Sequence, residues 1–190
     1  YIPELSSLNE SDLKNAENVC PFSKNGDQED SLAKDALPSD LHYMDGLGFY
    51  DRTFIGYASE GDFRRQGSSA GLVNWLCASL LRKNLVDAVL HVKQGQPGEK
   101  AMYSYQLSRD EKSLQEGAKS KYYPIHLAHL PQLLNEMTEE RIAVVGIPCF
   151  IKGLRALAKE NDGVRKRLKY FVGIVCGHLK SKHFAEFLGW

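Results

Sequence analysis

The sequence predicts an α/β fold: a mixed or mainly parallel sheet with flanking helices, preceded by an irregular N-terminal extension. Three observations predict it. Apolar residues recur at helical spacing over 72–82, as in an amphipathic helix. Two apolar runs flank a Gly/Pro turn within 86–107, as in a β-hairpin. An apolar run, a helical pattern and a second apolar run follow one another over 142–175, as in a parallel strand–helix–strand crossover.

The N-terminal part is rich in serine, asparagine and acidic residues, so we expect an extension over residues 1–45 and an α/β domain over residues 46–190. Ser11 is expected to cap a short helix that begins at Asp12. Residues 23–40 are expected to form an exposed connection. The other elements are expected as follows: a strand at 54–58, hairpin strands at 86–92 and 102–107, a helix within 108–119 capped by Ser108, a helix from Pro131 to Met137, and crossover elements at 142–145, 150–160 and 170–175.

Composition excludes several classes of protein. The chain has 190 residues and 43% hydrophobic residues, which is enough for one core. Its formal net charge is zero, so no overall field attracts nucleic acid or an anionic membrane. The apolar runs are far shorter than the ~20 residues that span a bilayer, and we expect no secretory signal. We expect a cytoplasmic protein, of which this chain is a piece.

The four cysteines are Cys20, Cys77, Cys149 and Cys176. They are widely spaced and contain no CxxC pair, which favours reduced thiols over a disulfide framework. Cys77 lies within the predicted amphipathic helix, where a small core residue is the expected role.

The segment from Gly146 to Cys149 forms a Gly-Ile-Pro-Cys turn between a predicted strand and a predicted helix. Ligands of open α/β sheets bind at the carboxyl ends of strands, and free helix N–H groups lower the pKa of a thiol. Cys176 follows the next predicted strand. The residues alone leave two interpretations open, namely functional thiols or a tight turn with buried ones.

Two loops carry groups that suit a phosphate or a flavin. The loop from Arg65 to Gly71 combines small side chains, hydroxyls and a helix N-terminus, which a pyrophosphate needs. An ordinary loop before a capped helix is the alternative. The segment from Ser120 to Tyr122 adds a cation and an aromatic ring, although an exposed lysine beside a half-buried tyrosine is commonplace. The histidines show no metal-ligand spacing.

Six segments together resemble the beta subunit of coenzyme F420-dependent hydrogenases and dehydrogenases, a family of iron–sulfur flavoproteins. In family order they are Cys20-Pro21, Gln66–Gly71, Leu85–Val89, Ala118–Tyr122, Val144–Cys149 and Phe171–Gly177. Taken in the same order, they are similar to six features of the family: the end of a ferredoxin-like stretch, a Ser-Gly-Gly loop, a Leu-Val-Asp-Gly-Val strand entry, a Gly-Ser-Lys-Tyr segment, a Gly-Thr-Pro-Cys-Gln-Ile motif and the strand before Cys-His-Gly. Ala70, Ile147, Phe150 and the order Cys-Gly-His depart from these patterns.

The resemblance implies two cofactors. The residues that it assigns to FAD are Arg65, Ser68, Ser69, Gly71, Ser120, Lys121, Tyr122, Gly146 and Pro148. It also implies that Cys149 and Cys176 ligate or adjoin a [4Fe–4S] cluster, with Cys20 at the same or a different cluster. It assigns no catalytic acid or base, because hydride transfer from a flavin need not use one.

We therefore expect an FAD-dependent oxidoreductase fragment that passes electrons between a [4Fe–4S] cluster, FAD and a hydride-accepting small molecule. The implied partner is a redox protein, such as ferredoxin or a hydrogenase or dehydrogenase subunit, in the cytoplasm or, in a plant, the plastid stroma. Neither nucleic acid nor a membrane span is expected. Two alternatives stay open: a non-catalytic electron-transfer or assembly subunit, and an α/β enzyme with Cys149 as nucleophile.

Overall fold

The computed structural model describes residues 9–95, 101–128, 130, 133–134, 140–178 and 180–189. The helices are α1 (Glu10–Val19), α2 (Glu29–Ala36), α3 (Phe63–Gln66), α4 (Leu72–Arg82), α5 (Glu111–Gln115), α6 (Pro148–Glu160), α7 (Asp162–Arg167) and α8 (Lys182–Leu188). The strands are β1 (His42–Met44), β2 (Gly48–Tyr50), β3 (Ala88–Gln94), β4 (Tyr103–Ser108), β5 (Ile142–Gly146) and β6 (Leu168–Gly173). Within the described ranges, no helix combines the length and apolar character that crossing a bilayer requires.

The main sheet has the strand order β4-β3-β5-β6. β3 and β4 are antiparallel, with Val89 opposite Ser108 and Gln94 opposite Tyr103. β5 is parallel to both β3 and β6. The predicted hairpin, the parallel crossover and the α/β class with a mixed sheet are therefore confirmed. β1 and β2 pair separately as a small antiparallel hairpin.

The sheet is buried on both faces because β5 sends alternate apolar side chains to two cores. Ile142 and Val144 belong to one core, which includes Leu154 of α6. Ala143 belongs to the other, which includes Cys77 and other residues of α4. Helices on both faces thus follow from the near-continuous apolar character of the central strand.

Two expectations about the N-terminal part are wrong. α1 is capped by Asn9, whose side chain accepts the N–H of Asp12, rather than by Ser11. Residues 23–40 contain α2, whose Leu32 is buried. Ion pairs join α2 to α6; in one of them, Lys152 of α6 contacts Glu29 of α2 at 3.0 Å.

Two expectations about the middle of the chain are also wrong. Residues 54–58 form no strand; they have no regular secondary structure and, apart from Ala58, are exposed. Ser108 ends β4 and is buried, whereas Asp110 caps α5 by accepting the Ser113 N–H at 2.8 Å. The helix predicted over 131–137 lies mostly outside the described residues.

The carboxyl ends of β3, β5 and β6 lie at one edge of the sheet because these strands are parallel. The antiparallel β4 begins at the same edge, where Tyr103 pairs with Gln94. Turns and helix starts at this edge of an open α/β sheet form the usual ligand position. The fold thus brings the predicted loops and strand-end cysteines to one side of the molecule.

Candidate functional site

Two loops that are far apart in sequence meet at the carboxyl edge of the sheet. The backbone N–H of Ser120 donates to Oγ of Ser68 at 2.7 Å. Ser68 belongs to the Ser-rich loop (residues 67–71), and Ser120 belongs to the Ser-Lys-Tyr loop (residues 118–122). The structure therefore unites the two loops into one surface.

The Ser-rich loop is folded tightly back on α3. Gly71 has a φ of +74°, and a Cβ there would lie 2.5 Å from the carbonyl carbon and oxygen of Phe63. The Gly67 N–H donates to that same Phe63 oxygen at 2.9 Å. Gly71 caps α4 without a side-chain hydrogen bond, so the first N–H groups of this helix are left for solvent or a ligand.

Arg65 and Ser69 lie on the solvent side of this loop. Arg65 forms an exposed ion pair with Asp62 at 2.8 Å, which raises the pKa of the guanidinium. Ser69 is exposed, as is Ser68. A shallow hollow of about 580 Å³ adjoins Arg65, and the Arg64 guanidinium covers the Tyr57 ring there at 4.2 Å from its centroid.

The Ser-Lys-Tyr loop borders a groove of about 670 Å³. The groove is lined by Met102, Tyr103, Ser120, Lys121, Tyr122, Ala185, Glu186, Leu188 and Gly189. The Lys121 ammonium lies 5.7 Å from the Tyr103 ring centroid and donates to the Ala118 carbonyl. Burial, and then the nearby Lys119, lower the pKa of Lys121. The groove therefore combines aromatic walls with one partly buried cation.

Sequence reasoning missed a buried polar cluster beneath the Ser-Lys-Tyr loop. His91 Nε2 lies 2.8 Å from Oγ of Ser108, and the Lys93 ammonium donates to Glu116 at 2.9 Å. Burial, followed by the charges of Lys93 and Lys121, lowers the pKa of His91 to about 4. The available signal was the i, i+2 spacing of two polar residues within an apolar strand, which puts both on one face.

Sequence reasoning also missed Tyr105, which anchors the Gly-Ile-Pro-Cys turn. Its hydroxyl donates to the Val145 carbonyl at 3.1 Å, just before that turn. Gly146 is buried, and a Cβ there would lie 3.2 Å from the Tyr105 hydroxyl oxygen. Pro148 is exposed in the first turn of α6 and preorganises that helix.

Cys149 and Cys176 lie close enough to interact electrostatically. Burial raises the pKa of the Cys149 thiol, the Phe150 backbone N–H opposes this, and the charge of Cys176 raises it further. Cys149 is half-buried, whereas Cys176 is exposed. The Ile174 N–H donates to the Gly146 carbonyl at 2.9 Å, which continues the strand pairing toward Cys176.

Cys20 is exposed at the end of α1, which packs against α6. The contact lies at Gly153, where a Cβ would meet the Val19 carbonyl oxygen at 3.4 Å and Pro21 Cδ at 3.5 Å. In the part of the chain that the structure describes, no three His, Cys, Asp or Glu side chains are grouped to hold a metal. Cys149 thus lies on α6, residues beside Cys20 contact the same helix, and Cys176 follows β6, but the three predicted metal-ligating cysteines do not form one described metal-binding group.

Cys77 has the structural role that its helical context predicts. It is fully buried in α4, and burial raises the pKa of its thiol to about 12. A thiol with such a pKa stays protonated and unreactive at neutral pH.

Comparisons with known proteins identify the family of this chain. Residues 53–131 match the family model "Coenzyme F420 hydrogenase/dehydrogenase, beta subunit N-term", and residues 139–190 match the companion model for the C terminus of the same beta subunit. β3 lies in the first match and β5 in the second, so a single sheet joins both matched regions. A search of curated proteins finds no significant match.

A solved chain from the F420-reducing [NiFe] hydrogenase complex of Methanosarcina barkeri has a similar fold, with a TM-score of 0.60 and 12% sequence identity. The superposition covers 70% of this chain and 46% of that chain. The present chain thus matches less than half the length of that relative, and the likeness concerns the fold. On the two family matches, this chain belongs to the coenzyme F420 hydrogenase/dehydrogenase beta subunit family, whose members are redox subunits.

Proposed function

We propose that this chain is the flavin-binding part of an oxidoreductase beta subunit, with FAD held at the carboxyl edge of the sheet. The observation that carries the proposal is the 2.7 Å hydrogen bond from Ser120 to Ser68. It joins the two loops that the family resemblance assigns to the flavin. Membership of a redox family supports the same interpretation.

The residues present fit a dinucleotide flavin. The sharp bend at Gly71 and the N–H groups at the start of α4 suit a pyrophosphate, because backbone can approach it closely there. The groove of about 670 Å³ falls in the range of small-molecule sites, and its tyrosines suit a planar ring. Lys121 contributes a positive charge. The residues proposed for FAD are Arg65, Ser68, Ser69, Gly71, Ser120, Lys121, Tyr122, Gly146 and Pro148.

Bound FAD would supply hydride exchange with a substrate, which is the cofactor's own chemistry. The chain's residues bind and orient the cofactor. The α4 N–H groups and Arg65 neutralise phosphate charge, and Lys121 places a cation beside the groove. Tyr103 and Tyr122 offer aromatic rings to a planar flavin, since both line the groove. Gly146 and Pro148 set the turn beside this surface.

A four-thiolate [4Fe–4S] cluster does not fit the described residues alone. Such a cluster takes four thiolates; with Cys77 buried in α4, three candidate thiols remain, and the described residues do not bring them together as one metal-binding group. The neighbours of Cys20, Val19 and Pro21, contact α6 at Gly153, one helical turn after Cys149. We therefore assign no electron-transfer step to a cluster on this chain.

A redox partner protein, such as a ferredoxin or another hydrogenase or dehydrogenase subunit, is also part of the proposal. The solved structural neighbour belongs to a hydrogenase complex, which supports assembly with other subunits. The hydride acceptor is proposed to be a small molecule.

Titration of the anaerobically purified full-length protein with FAD tests the proposal. We expect the wild type to bind FAD with quenching of flavin fluorescence. Ser68→Ala removes the acceptor of the Ser120 N–H and should weaken binding about fivefold, in line with the loss of one hydrogen bond. Ser31→Ala is the matched control, since Ser31 lies on α2 and donates to Asp27. Absence of FAD binding by the wild type would contradict the proposal.

A further inference from the structure

One face of β3 carries two buried polar side chains that the proposed flavin chemistry does not use. His91 is 4% exposed and Lys93 is 8% exposed. Both point toward α5, on the same face as Val89 of the second core. Ser108, at the end of β4, is 1% exposed and lies between them. Buried charges and imidazoles are costly unless they are paired, so this cluster requires an explanation.

The cluster is internally satisfied. The Lys93 ammonium donates to Ser108 Oγ and to the Ser113 carbonyl, each at 3.5 Å, and to Glu116 at 2.9 Å. Ser108 is therefore free to donate its hydroxyl proton to His91 Nε2 at 2.8 Å. No buried side-chain nitrogen or oxygen of the described residues lacks a partner. A satisfied cluster without a cavity is not a binding site, but it can fix what is packed on it.

Gly117 packs directly on this cluster. A Cβ at Gly117 would lie 2.3 Å from Cε1 and 2.4 Å from Nδ1 of His91, and 2.9 Å from the Val92 carbonyl oxygen. Lys93 holds the end of α5, immediately before Gly117, through Ser113 and Glu116. The backbone after α5 therefore packs on β3 through the contact of Gly117 with His91, and the hydrogen bonds of Lys93 to Ser113 and Glu116 hold it there.

The Ser-Lys-Tyr loop starts at the next residue. Its Ser120 N–H reaches Ser68, and its Lys121 side chain borders the groove. A continuous set of contacts thus runs from His91 and Lys93, through Gly117, to the junction of the two loops.

We infer that His91 and Lys93 are positioning residues, which fix the Ser-Lys-Tyr loop against the Ser-rich loop and so set the affinity of the site for its flavin. The inference rests on the proposed function for its ligand. The contact between His91 and Gly117 is the coupling element. A polar cluster suits this task better than an apolar one, because its hydrogen bonds admit a single arrangement of α5 over β3.

A double-mutant cycle on the full-length protein tests this contact. Gly117→Ala places a methyl group against the His91 ring, and we expect the Kd for FAD to rise about tenfold. His91→Ala removes the ring and the support that it gives. The double variant should bind FAD more tightly than either single variant, although the approach to the Val92 oxygen keeps the recovery partial. His91→Gln retains a polar atom near Ser108 and should bind better than His91→Ala.

Gly56→Ala is the matched control, because a Cβ at Gly56 meets nothing within 4 Å. Thermal unfolding of each variant separates lost folding from lost positioning. Wild-type affinity in Gly117→Ala would overturn the inference. A folded double variant that does not bind FAD more tightly than both single variants would overturn it as well.

Amide hydrogen exchange of the Ser120 N–H in the ligand-free protein keeps the inference separate from the proposed function. We expect Gly117→Ala to accelerate this exchange, with partial reversal by His91→Ala, while amides of β5 stay protected. If the wild type binds no FAD, the proposed function fails, but this exchange measurement still decides the positioning role. Unchanged Ser120 exchange in Gly117→Ala would overturn that role.

Discussion

The carboxyl edge of the sheet has two halves that are built in different ways. The loop half consists of the Ser-rich loop and the Ser-Lys-Tyr loop, and the thiol half consists of the Gly-Ile-Pro-Cys turn and Cys176. In the loop half, buried side chains of β3 support the Ser-Lys-Tyr loop from below, and Ser68 ties it to its neighbour. In the thiol half, backbone pairing and Tyr105 hold the turn, while Cys149 is half-buried and Cys176 is exposed. The two loops are thus supported through buried polar contacts, whereas the thiols lie at a more open surface.

The largest expected effect comes from breaking the loop half at Gly71. Gly71→Ala forces an L-residue into a left-handed conformation and drives a Cβ to 2.5 Å from the Phe63 backbone. We expect the free energy of unfolding to fall by about 3–5 kcal/mol, from strain and overpacking together. Urea denaturation measures this change. Gly56→Ala should stay within about 0.5 kcal/mol of the wild type, and an equal loss in both variants would contradict this account of the loop.

The buried imidazole predicts a pH-dependent stability. The unfolded His91 takes up a proton below its ordinary pKa of 6.5, whereas the folded residue does so only below about 4. The unfolded state therefore binds more protons between these values, so the free energy of unfolding falls as pH drops from about 6.5 to 4, by up to about 3 kcal/mol. His91→Gln should flatten this slope. An identical slope in that variant would show that other groups cause it.

In the thiol half, we expect the Cys149 thiol to react slowly with alkylating reagents. Because the pKa of this thiol is raised, we expect its alkylation in the metal-free protein to be slow at neutral pH and to accelerate at alkaline pH. Mass spectrometry after timed iodoacetamide treatment follows the reaction, with the buried Cys77 as the unreactive reference. Rapid modification of Cys149 at neutral pH would instead favour its role as a nucleophile.

The smallest expected effect is that of Cys176→Ala. The residue is exposed, so the free energy of unfolding should change by less than about 0.5 kcal/mol. Removing its charge should lower the pKa of Cys149 and modestly accelerate Cys149 alkylation at alkaline pH. A large loss of stability would show that the thiol half is supported as firmly as the loop half.

Local patterns in the sequence predict much of this fold. The helix at 72–82 and the crossover over 142–175 carry their own periodicity, and the strand-end positions of Cys149 and Cys176 follow from it. Burial that depends on distant partners was not predictable. Leu32 is buried because α2 packs on α6. Ser108 is buried because its side chain contacts that of His91 on the neighbouring strand.

The same limit applies to the candidate site. The resemblance of the motifs predicted that both loops belong to the site. The hydrogen bond that joins Ser120 to Ser68 was not predictable, because it links residues 52 positions apart and forms only in the folded chain. His91 and Lys93 lie within a strand, away from any motif; their i, i+2 spacing puts both on one face, but only their contacts show what they support. The division between residues 1–45 and 46–190, and the assignment of individual site residues, stay predictions.

An amide hydrogen-exchange footprint of FAD on the full-length protein shows directly whether these two loops bind the flavin. We expect FAD to slow exchange at the Ser-rich loop, at the start of α4 and at the Ser-Lys-Tyr loop, while α2 exchanges as before. A footprint elsewhere on the chain, or no change on adding FAD, would contradict the claim that these two loops form the flavin site.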